Sequence, residues 1–331
     1  MRASLLALVL LSSCVTLPVP LPGPTQQPPQ RPRRGPVQAP APSSAQGPVG
    51  ALATRGHAAT FDVGTWNIEQ FGDPGSPPAD GPQIRNAATV LAQSGIDLWA
   101  IQEVTSEAGW RALLDRVEPA GYVGVLGPEP TFGNYKAGFL YDPRVVTSLG
   151  VRQPLPVTGS YGGKQPLELH AEVTVGGETA RVRVVAFHAK NGNAENDHYN
   201  RSQGALKLKA YADDSAARGE AVILLGDFND FLTRATYRNA ERSPYAPFLD
   251  SPGYAAATLA LEQAGVPTSC RNRLPRCGSG PTIDHIVYTE TFPGRLVEVA
   301  RYEEAVAQIE DFAATTSDHA PVFARFELGA Q

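Results

Sequence analysis

Residues 221–229 read Ala-Val-Ile-Leu-Leu-Gly-Asp-Phe-Asn, an apolar run that passes directly into a polar segment. The run predicts a buried strand, and Gly226 permits a tight exit from it. Asp227 and Asn229 are separated by one residue, so we expect their side chains to point the same way. A carboxylate beside a neutral amide suits a site that holds a water and a phosphoryl oxygen together, although a simple turn also uses Gly, Asp and Asn.

Four other short polar motifs lie elsewhere along the chain. Three of them follow, lie in or lead into an apolar run that predicts a strand, and the fourth precedes one. Polar side chains at strand ends lie at the rim of a sheet, and several rims together make a site for a divalent cation and a phosphate. The motifs are residues 65–69 (Thr-Trp-Asn-Ile-Glu), 101–104 (Ile-Gln-Glu-Val), 283–286 (Ile-Asp-His-Ile) and 317–321 (Ser-Asp-His-Ala-Pro).

Several residue types in these motifs suit particular chemical tasks. Asn67 and Glu103 fit as oxygen ligands of Mg²⁺, which accepts one or two protein carboxylates, although a capping residue and a solvated acid are the structural alternatives. His319 is a candidate general acid or base, and Asp284 is a candidate for fixing its tautomer. His188 ends an apolar run and is a second catalytic candidate.

Apolar periodicity predicts the surrounding architecture. Many short strands with helices between and around them favour two packed sheets flanked by helices. The helices are predicted at residues 83–93, 107–117, 201–218 and 255–264.

The five motifs, in this order, resemble the endonuclease/exonuclease/phosphatase superfamily, which includes deoxyribonuclease I, apurinic endonucleases, sphingomyelinases and inositol polyphosphate phosphatases. The resemblance spans roughly residues 61–327. It implies an α/β fold, a deoxyribonuclease I-like four-layered sandwich of two packed mixed β-sheets flanked by helices. The site is then expected at one end of the two sheets.

The resemblance also implies roles for individual residues. In this reading Asn67, Glu103 and Asp318 bind metal, whereas Tyr135, Lys136 and Lys164 contact the phosphate-bearing substrate. The catalytic set is His188, Asp227, Asn229, Asp284 and His319.

Two departures from deoxyribonuclease I accompany this resemblance. That enzyme has Arg where this chain has Glu69, and the Glu that partners its second histidine has no clear counterpart near Tyr135. The role of His188 therefore lacks an identified partner.

The chain begins with Met1-Arg2, an apolar run at residues 5–11 and then Leu-Ser-Ser-Cys at residues 11–14. This pattern predicts a signal peptide with a lipobox (residues 1–13) and a lipid on Cys14, although an ordinary secretory signal with an incidental cysteine is the alternative. Residues 14–58 are rich in Pro and predict an extended linker, which leaves residues 59–331 as the catalytic domain. Either reading places the protein outside the cytoplasm, as a membrane-anchored lipoprotein or a secreted protein.

Charge and cysteine usage refine this picture. Without Arg2 and the four arginines of the Pro-rich segment, the formal charge of −5 becomes −10, which argues against a broad basic face. A phosphate substrate remains compatible, because a bound divalent cation makes an acidic cleft locally cationic. Cys270 and Cys277 are seven residues apart and predict a local disulfide in an oxidising compartment.

These observations predict a divalent-metal-dependent phosphodiesterase, an extracytoplasmic nuclease that hydrolyses DNA or RNA with Mg²⁺, or with Mn²⁺ or Ca²⁺, as cofactor. We expect a monomer whose substrate is nucleic acid and whose membrane contact is the lipid on Cys14. The alternatives are a phosphomonoesterase or sphingomyelinase of the same superfamily, or an inactive tethered binding domain. Inositol phosphatases continue Gly-Asp-Leu-Asn with Tyr-Arg, whereas Asp230-Phe231 follows here, which disfavours that branch.

Overall fold

The computed structural model describes residues 50–75, 80–130, 133–156 and 159–329. The expected signal peptide (residues 1–13), Cys14 and the expected linker as far as residue 49 lie outside these residues. Within the described part of the chain, no helix combines the length and the apolar character needed to cross a bilayer.

The described residues form twelve strands and seven α-helices. The strands are β1 (Phe61–Phe71), β2 (Leu98–Val104), β3 (Val123–Leu126), β4 (Lys136–Tyr141), β5 (Val146–Arg152), β6 (Leu167–Val175), β7 (Glu178–His188), β8 (Ala221–Asp227), β9 (Tyr254–Ala256), β10 (Asp284–Thr289), β11 (Gly294–Arg301) and β12 (Val322–Leu328). The helices are α1 (Asp80–Ser94), α2 (Glu107–Val117), α3 (Glu195–Ala216), α4 (Ala246–Leu249), α5 (Leu259–Gln263), α6 (Glu303–Gln308) and α7 (Phe312–Thr315).

The strands form two six-stranded sheets. The first has the order β11-β12-β1-β2-β4-β3, and the second has the order β5-β6-β7-β8-β10-β9. Both sheets are mixed, because β1 and β2 run parallel in the first and β7 and β8 run parallel in the second, whereas the other neighbours are antiparallel.

Three hydrophobic cores separate the layers. Leu98 and Ile223 face the space between the two sheets, whereas the next residues along each strand, Trp99 and Leu224, face the flanking helices. This alternation follows from the two-residue period of a strand, and burying each such side chain contributes about 1.5–3 kcal/mol. The result is a helix–sheet–sheet–helix stack, which confirms the predicted four-layered α/β sandwich.

Local sequence signals locate some elements better than others. The predicted helix at residues 107–117 is confirmed at both ends as α2, where the Ser106 hydroxyl accepts a hydrogen bond from the Gly109 N–H at 3.1 Å. The predicted helix at residues 255–264 is wrong in its first half. Ala255 instead pairs with Tyr288 in the sheet, because the strand ladder satisfies its backbone and outweighs the helical propensity of alanine.

The packed domain also begins earlier than the expected boundary at residue 59. Leu52 is buried, and its N–H donates to Oε1 of Gln93 at 2.6 Å. The carbonyl of Ala53 accepts a hydrogen bond from the Tyr302 hydroxyl at 2.8 Å. The last residues of the expected linker therefore belong structurally to the domain, because apolar burial and hydrogen bonds hold them there.

Candidate active site

The polar motifs meet at one end of the sandwich, where the two sheets present their rims side by side. In the second sheet, His188 and Asp284 are both register partners of Asp227. In the first sheet, Asn67 lies in β1, and its amide Nδ2 donates to Oδ2 of Asp227 at 3.1 Å and to Oε1 of Glu103 at 3.0 Å. Asn67 therefore joins the two rims through hydrogen bonds.

Gly226 determines where Asp227 lies. Its backbone approaches Phe187 of the neighbouring strand so closely that a Cβ atom would lie 1.8 Å from the Phe187 carbonyl oxygen. Any side chain at this position would push β8 away from β7 and displace the carboxylate that follows. The Gly-Asp pair noted in the sequence thus has a packing reason.

Backbone irregularities direct two polar side chains, those of Glu103 and Asn229, into the site. The register between β2 and β4 shifts between Ile101 and Val104, and Glu103 in that bulge has φ +64°. Asn229 has φ +52°. Such left-handed conformations cost about 1–3 kcal/mol for a non-glycine residue and occur preferentially at functional sites, where bulges redirect side chains.

Asp227 is the hub of the site. Its Oδ1 accepts the backbone N–H of Asn229 at 2.8 Å, and its Oδ2 accepts Nδ2 of the same residue at 3.1 Å. Burial raises the pKa of Asp227 to about 6, even though the nearby charge of His319 acts in the opposite direction. A carboxylate with a pKa near neutrality is suited to accept a proton from water.

His319 is oriented by Asp284. Nδ1 of His319 lies 2.8 Å from Oδ2 of the fully buried Asp284, and Nε2 lies 3.9 Å from Oδ2 of Asp227. Burial would lower the pKa of His319, but the carboxylates of Asp284 and Asp227 outweigh that effect and raise it well above the ordinary value. We assign the Nδ1 proton to the hydrogen bond with Asp284, which leaves Nε2 facing the cleft.

His188 has a different electrostatic state. Its Nε2 lies 3.2 Å from Oδ2 of Asp227 and 3.8 Å from Oε1 of Glu103. Burial, assisted by the positive charges of Lys164 and His319, lowers its pKa well below the ordinary value, so the ring is neutral. Its Nδ1 has no hydrogen-bond partner among the described residues, which matches the absence of a partner glutamate in the sequence.

The donor set near Glu103 fits a divalent cation. Oε1 of Glu103 accepts from Asn67, Oε2 accepts the N–H of Gln70 at 3.0 Å, and burial raises the pKa of this carboxyl group. The charges of His319 and Lys164 oppose this rise without reversing it, and burial lowers the pKa of Lys164 itself to about 8. A hard cation with oxygen ligands would supply the missing positive charge. Asp318 lines the same cleft.

Two further observations bear on which residues could hold a metal ion. As placed, the oxygen of Asn67 accepts the Glu69 N–H at 3.0 Å, so its amide orients carboxylates and its oxygen does not face Glu103. The carboxylates of Asp227 and Asp284 and a nitrogen of His319 lie within 4.8 Å of one another and are also close enough to share an ion. In that group, Asp284 already bonds to Nδ1 of His319.

The expected substrate contacts divide into two groups. Tyr135 and Lys164 line the cleft, whose volume is about 400 Å³. Lys136 does not line it, because its ammonium group is buried against the carboxylates of Glu129 and Glu107. The structure therefore brings together ten of the eleven predicted site residues and places Lys136 behind them.

Sequence reasoning missed a carboxylate that organises the histidine motif. Glu69 is buried, and Oε2 accepts the backbone N–H of Asp318 at 2.9 Å. Burial and the charge of Asp318 raise the pKa of Glu69 to about 7, although the guanidinium of Arg273 acts against them. The one available signal was that Glu69 differs from the arginine of deoxyribonuclease I, whereas nothing in the sequence pointed to Arg273.

Arg273 lies in the loop closed by the Cys270–Cys277 disulfide, which the structure contains as predicted. Its guanidinium donates to both carboxylate oxygens of Glu69. The same loop is attached to the histidine motif, because the Cys270 N–H donates to the Asp318 carbonyl at 2.7 Å. The disulfide loop thus holds the segment that carries His319.

The comparisons with known proteins agree with this geometry. The model of the Endonuclease/Exonuclease/phosphatase family matches residues 64–319, which extends from the first polar motif to His319. No curated protein matches the chain at a significant level.

Solved structures share the fold at low sequence identity. TDP2 from D. rerio, complexed with a single strand DNA product, has a TM-score of 0.56 at 17% identity and covers 81% of this chain and 99% of its own. The human Nocturnin catalytic domain with bound sulfate has a TM-score of 0.57 at 16% identity, with coverage of 82% and 96%. An endonuclease/exonuclease/phosphatase from Bacteroides vulgatus has a TM-score of 0.58 at 16% identity, with coverage of 81% and 99%.

Proposed function

Because the chain belongs to the endonuclease/exonuclease/phosphatase family, we propose that it is a divalent-metal-dependent phosphodiesterase, specifically an extracytoplasmic nuclease acting on DNA or RNA. Members of this family are generally hydrolytic phosphoesterases that use divalent metals. The observation that carries the proposal is the arrangement at the end of the two sheets, where Asp227 lies within hydrogen-bond reach of Asn229 and near the Asp284–His319 pair.

Each residue of the site has a separate role in the proposed hydrolysis. Asp227 and Asn229 hold the attacking water, and Asp227 accepts its proton, since a pKa of about 6 suits a general base. His319, held by Asp284, presents a protonated Nε2 that stabilises the developing negative charge or gives its proton to the leaving oxygen. Lys164 and the neutral His188 add electrostatic and hydrogen-bonding stabilisation at the phosphate oxygens.

The metal has a defined place in this proposal. Glu103 would hold a divalent cation, with Asp318 at the rim of the same cleft. Such a cation supplies Lewis-acid polarisation of phosphate oxygens when bound. Such oxygen ligands suit Mg²⁺, Mn²⁺ or Ca²⁺.

Two further lines support a nucleic-acid substrate and an extracytoplasmic location. A structural relative, D. rerio TDP2, has been solved in complex with a single strand DNA product. The N-terminal Leu-Ser-Ser-Cys pattern supports lipid attachment at Cys14, and the disulfide in the domain agrees with an oxidising compartment.

A direct assay tests the proposal against its rivals. The full chain is incubated with plasmid DNA, RNA, sphingomyelin and p-nitrophenyl phosphate, each with Mg²⁺, Mn²⁺ or Ca²⁺ and each with EDTA. We expect cleavage of DNA or RNA that EDTA abolishes. Hydrolysis of sphingomyelin or the monoester without cleavage of either nucleic acid would replace the nuclease proposal with one of its alternatives. Turnover of none of the four with any metal would favour an inactive binding domain.

A further inference from the structure

A second cavity adjoins the catalytic cleft. Its volume is about 680 Å³, larger than that of the cleft, and Asn229 and Ile283 line both spaces. The two spaces therefore meet at these residues, and a ligand whose phosphate lies beside Asn229 can extend toward the second cavity. Two arginines, Arg234 and Arg238, lie along the wall of this cavity.

Both arginines are available for a ligand. Arg234 and Arg238 are exposed, and neither forms an ion pair with any residue in the described ranges. Nearby arginines are different, because Arg201 is buried against Asp230 and Arg242 is paired with Asp250. Two unpaired guanidinium groups at one cavity form a local cationic site in a domain that is otherwise acidic.

The loop that carries Arg234 is held in place by a buried carboxylate at its start. Oδ1 of Asp230 accepts the N–H groups of Phe231 at 3.0 Å and Thr236 at 2.6 Å, while Oδ2 accepts Nε of Arg201 at 2.9 Å. These bonds join the loop to helix α3. Little conformational entropy remains to be lost when the loop binds a ligand.

A second carboxylate holds the other side of the loop, and an aromatic ring supports the arginine. The carboxylate of Glu262 accepts the N–H groups of Leu232 at 2.6 Å and Thr233 at 3.0 Å. The guanidinium carbon of Arg234 lies 3.5 Å from the centroid of the Phe231 ring. A stacked guanidinium keeps its N–H edges free, and this edge geometry matches the oxygens of a phosphate.

We infer that this cavity, lined by Arg234 and Arg238, binds a phosphate of the nucleic-acid strand next to the scissile phosphate. The inference rests on the proposed nuclease function and identifies which part of the surface recognises the polymer. The catalytic cleft holds the reacting phosphodiester, whereas the adjoining cavity recognises its continuation through charge. A small phosphodiester without a flanking phosphate would leave the second cavity empty.

The test compares two substrates in the full chain. Arg234→Ala, Arg238→Ala and the double variant are assayed on a short single-stranded oligonucleotide and on bis(p-nitrophenyl) phosphate, which has no second phosphate. Arg242→Ala is the matched control, because it removes the same charge from the same region but outside the cavity. Circular dichroism verifies that each variant is folded.

We expect each cavity variant to raise KM for the oligonucleotide about tenfold, with kcat nearly unchanged. Kinetics on the small diester should be unchanged in every variant. In a plot of log kcat/KM against log salt concentration, the double variant should have a slope shallower by about 0.7, which corresponds to the loss of one phosphate contact on a single strand. Arg242→Ala should behave as the wild type on both substrates.

Two other results would overturn the inference. If the wild type cleaves the oligonucleotide and the cavity variants do so with unchanged KM and salt dependence, the cavity does not bind the strand, although the nuclease proposal survives. If the variants lose the same activity on both substrates, the arginines act at the reacting phosphate and not beside it. A wild type that cleaves the small diester but no oligonucleotide would reject the nuclease proposal together with this inference.

Discussion

The pairing of His319 with Asp284 makes a sharp prediction about catalysis. We consider three variants: Asp284→Asn, His319→Asn and the double substitution. An asparagine at position 319 can still place an amide nitrogen near the buried Asp284 carboxylate, so the variant removes Nε2 without leaving that carboxylate unpaired. This choice separates loss of chemistry from loss of folding.

The structure sets the expected magnitude. Nδ1 of His319 lies 2.8 Å from Oδ2 of Asp284, and Oδ1 of Asp284 has no hydrogen-bond partner among the described residues. Among the described residues, the hydrogen bond of this carboxylate is therefore the one with His319, and we expect Asp284 to act on catalysis through that bond. Positioned acid–base catalysis contributes about 10²- to 10⁴-fold, equivalent to about 3–5 kcal/mol of transition-state stabilisation. His319→Asn should lose this amount, and Asp284→Asn should lose most of it, because an amide permits the wrong histidine tautomer.

The double variant carries the decisive comparison. Residues that act as one unit are not additive, so the double variant should be little slower than His319→Asn alone. The assay is kcat on a saturating oligonucleotide with the preferred metal, with His170→Asn as a control for substitution of a histidine outside the cleft. If the two losses multiply, or if Asp284→Asn keeps nearly the full rate, the proposed pairing is wrong.

Four further outcomes are expected. Glu103→Gln should require a higher metal concentration for half-maximal activity, and a metal titration with an unchanged midpoint would contradict its role as ligand. Replacing Cys270 and Cys277 by serine should lower the free energy of unfolding, measured by urea denaturation, by about 2 kcal/mol. Mass spectrometry that finds two free thiols in protein purified without reductant would argue against the disulfide. Burial raises the pKa of Asp97 from 3.8 to about 8, so between these pH values the folded protein keeps a proton that the unfolded chain has lost. The free energy of unfolding should therefore fall by on the order of 1 kcal/mol per pH unit as the pH rises from about 4 to about 8. In the Asp97→Asn variant, the free energy of unfolding from urea denaturation should depend less on pH than in the wild type. Equal slopes of this free energy against pH in the two proteins would refute the reasoning. Cys14→Ser should block processing or release the protein from membranes, whereas equal membrane partitioning of the two proteins would count against lipidation.

Strand-ending motifs were readable in the sequence because their chemistry is local. Asp227 and Asn229 follow an apolar run that predicts a buried strand, and their spacing places both side chains at the end of that strand. A one-residue shift of that strand would turn its apolar face toward solvent, so burial determines its register. The histidine and its carboxylate partner were identified in the same way, from residue type and position.

The disulfide was predictable for a similar reason. Cys270 and Cys277 are close along the chain, and their pairing needs no knowledge of distant contacts. The strand at Tyr254–Ala256 was not predictable from the sequence, since its residues suit a helix. They form a strand because they pair with the neighbouring strand β10. The packing of Leu52 against the domain was hidden for the same reason, because its partner Gln93 lies 41 residues away.

The amino-acid sequence determined the fold class and the candidate site residues, through apolar periodicity and through the resemblance of its short polar motifs to a known family. Tertiary structure decided how those groups are charged and held. Burial, and not residue type, gives Asp227 a raised pKa and His188 a lowered one. The contact of Glu69 with Arg273 joins residues 204 positions apart, and Lys136 faces two glutamates instead of the cleft. Such properties depend on which side chains the folded sheets bring together, and no local pattern in the chain encodes those distances.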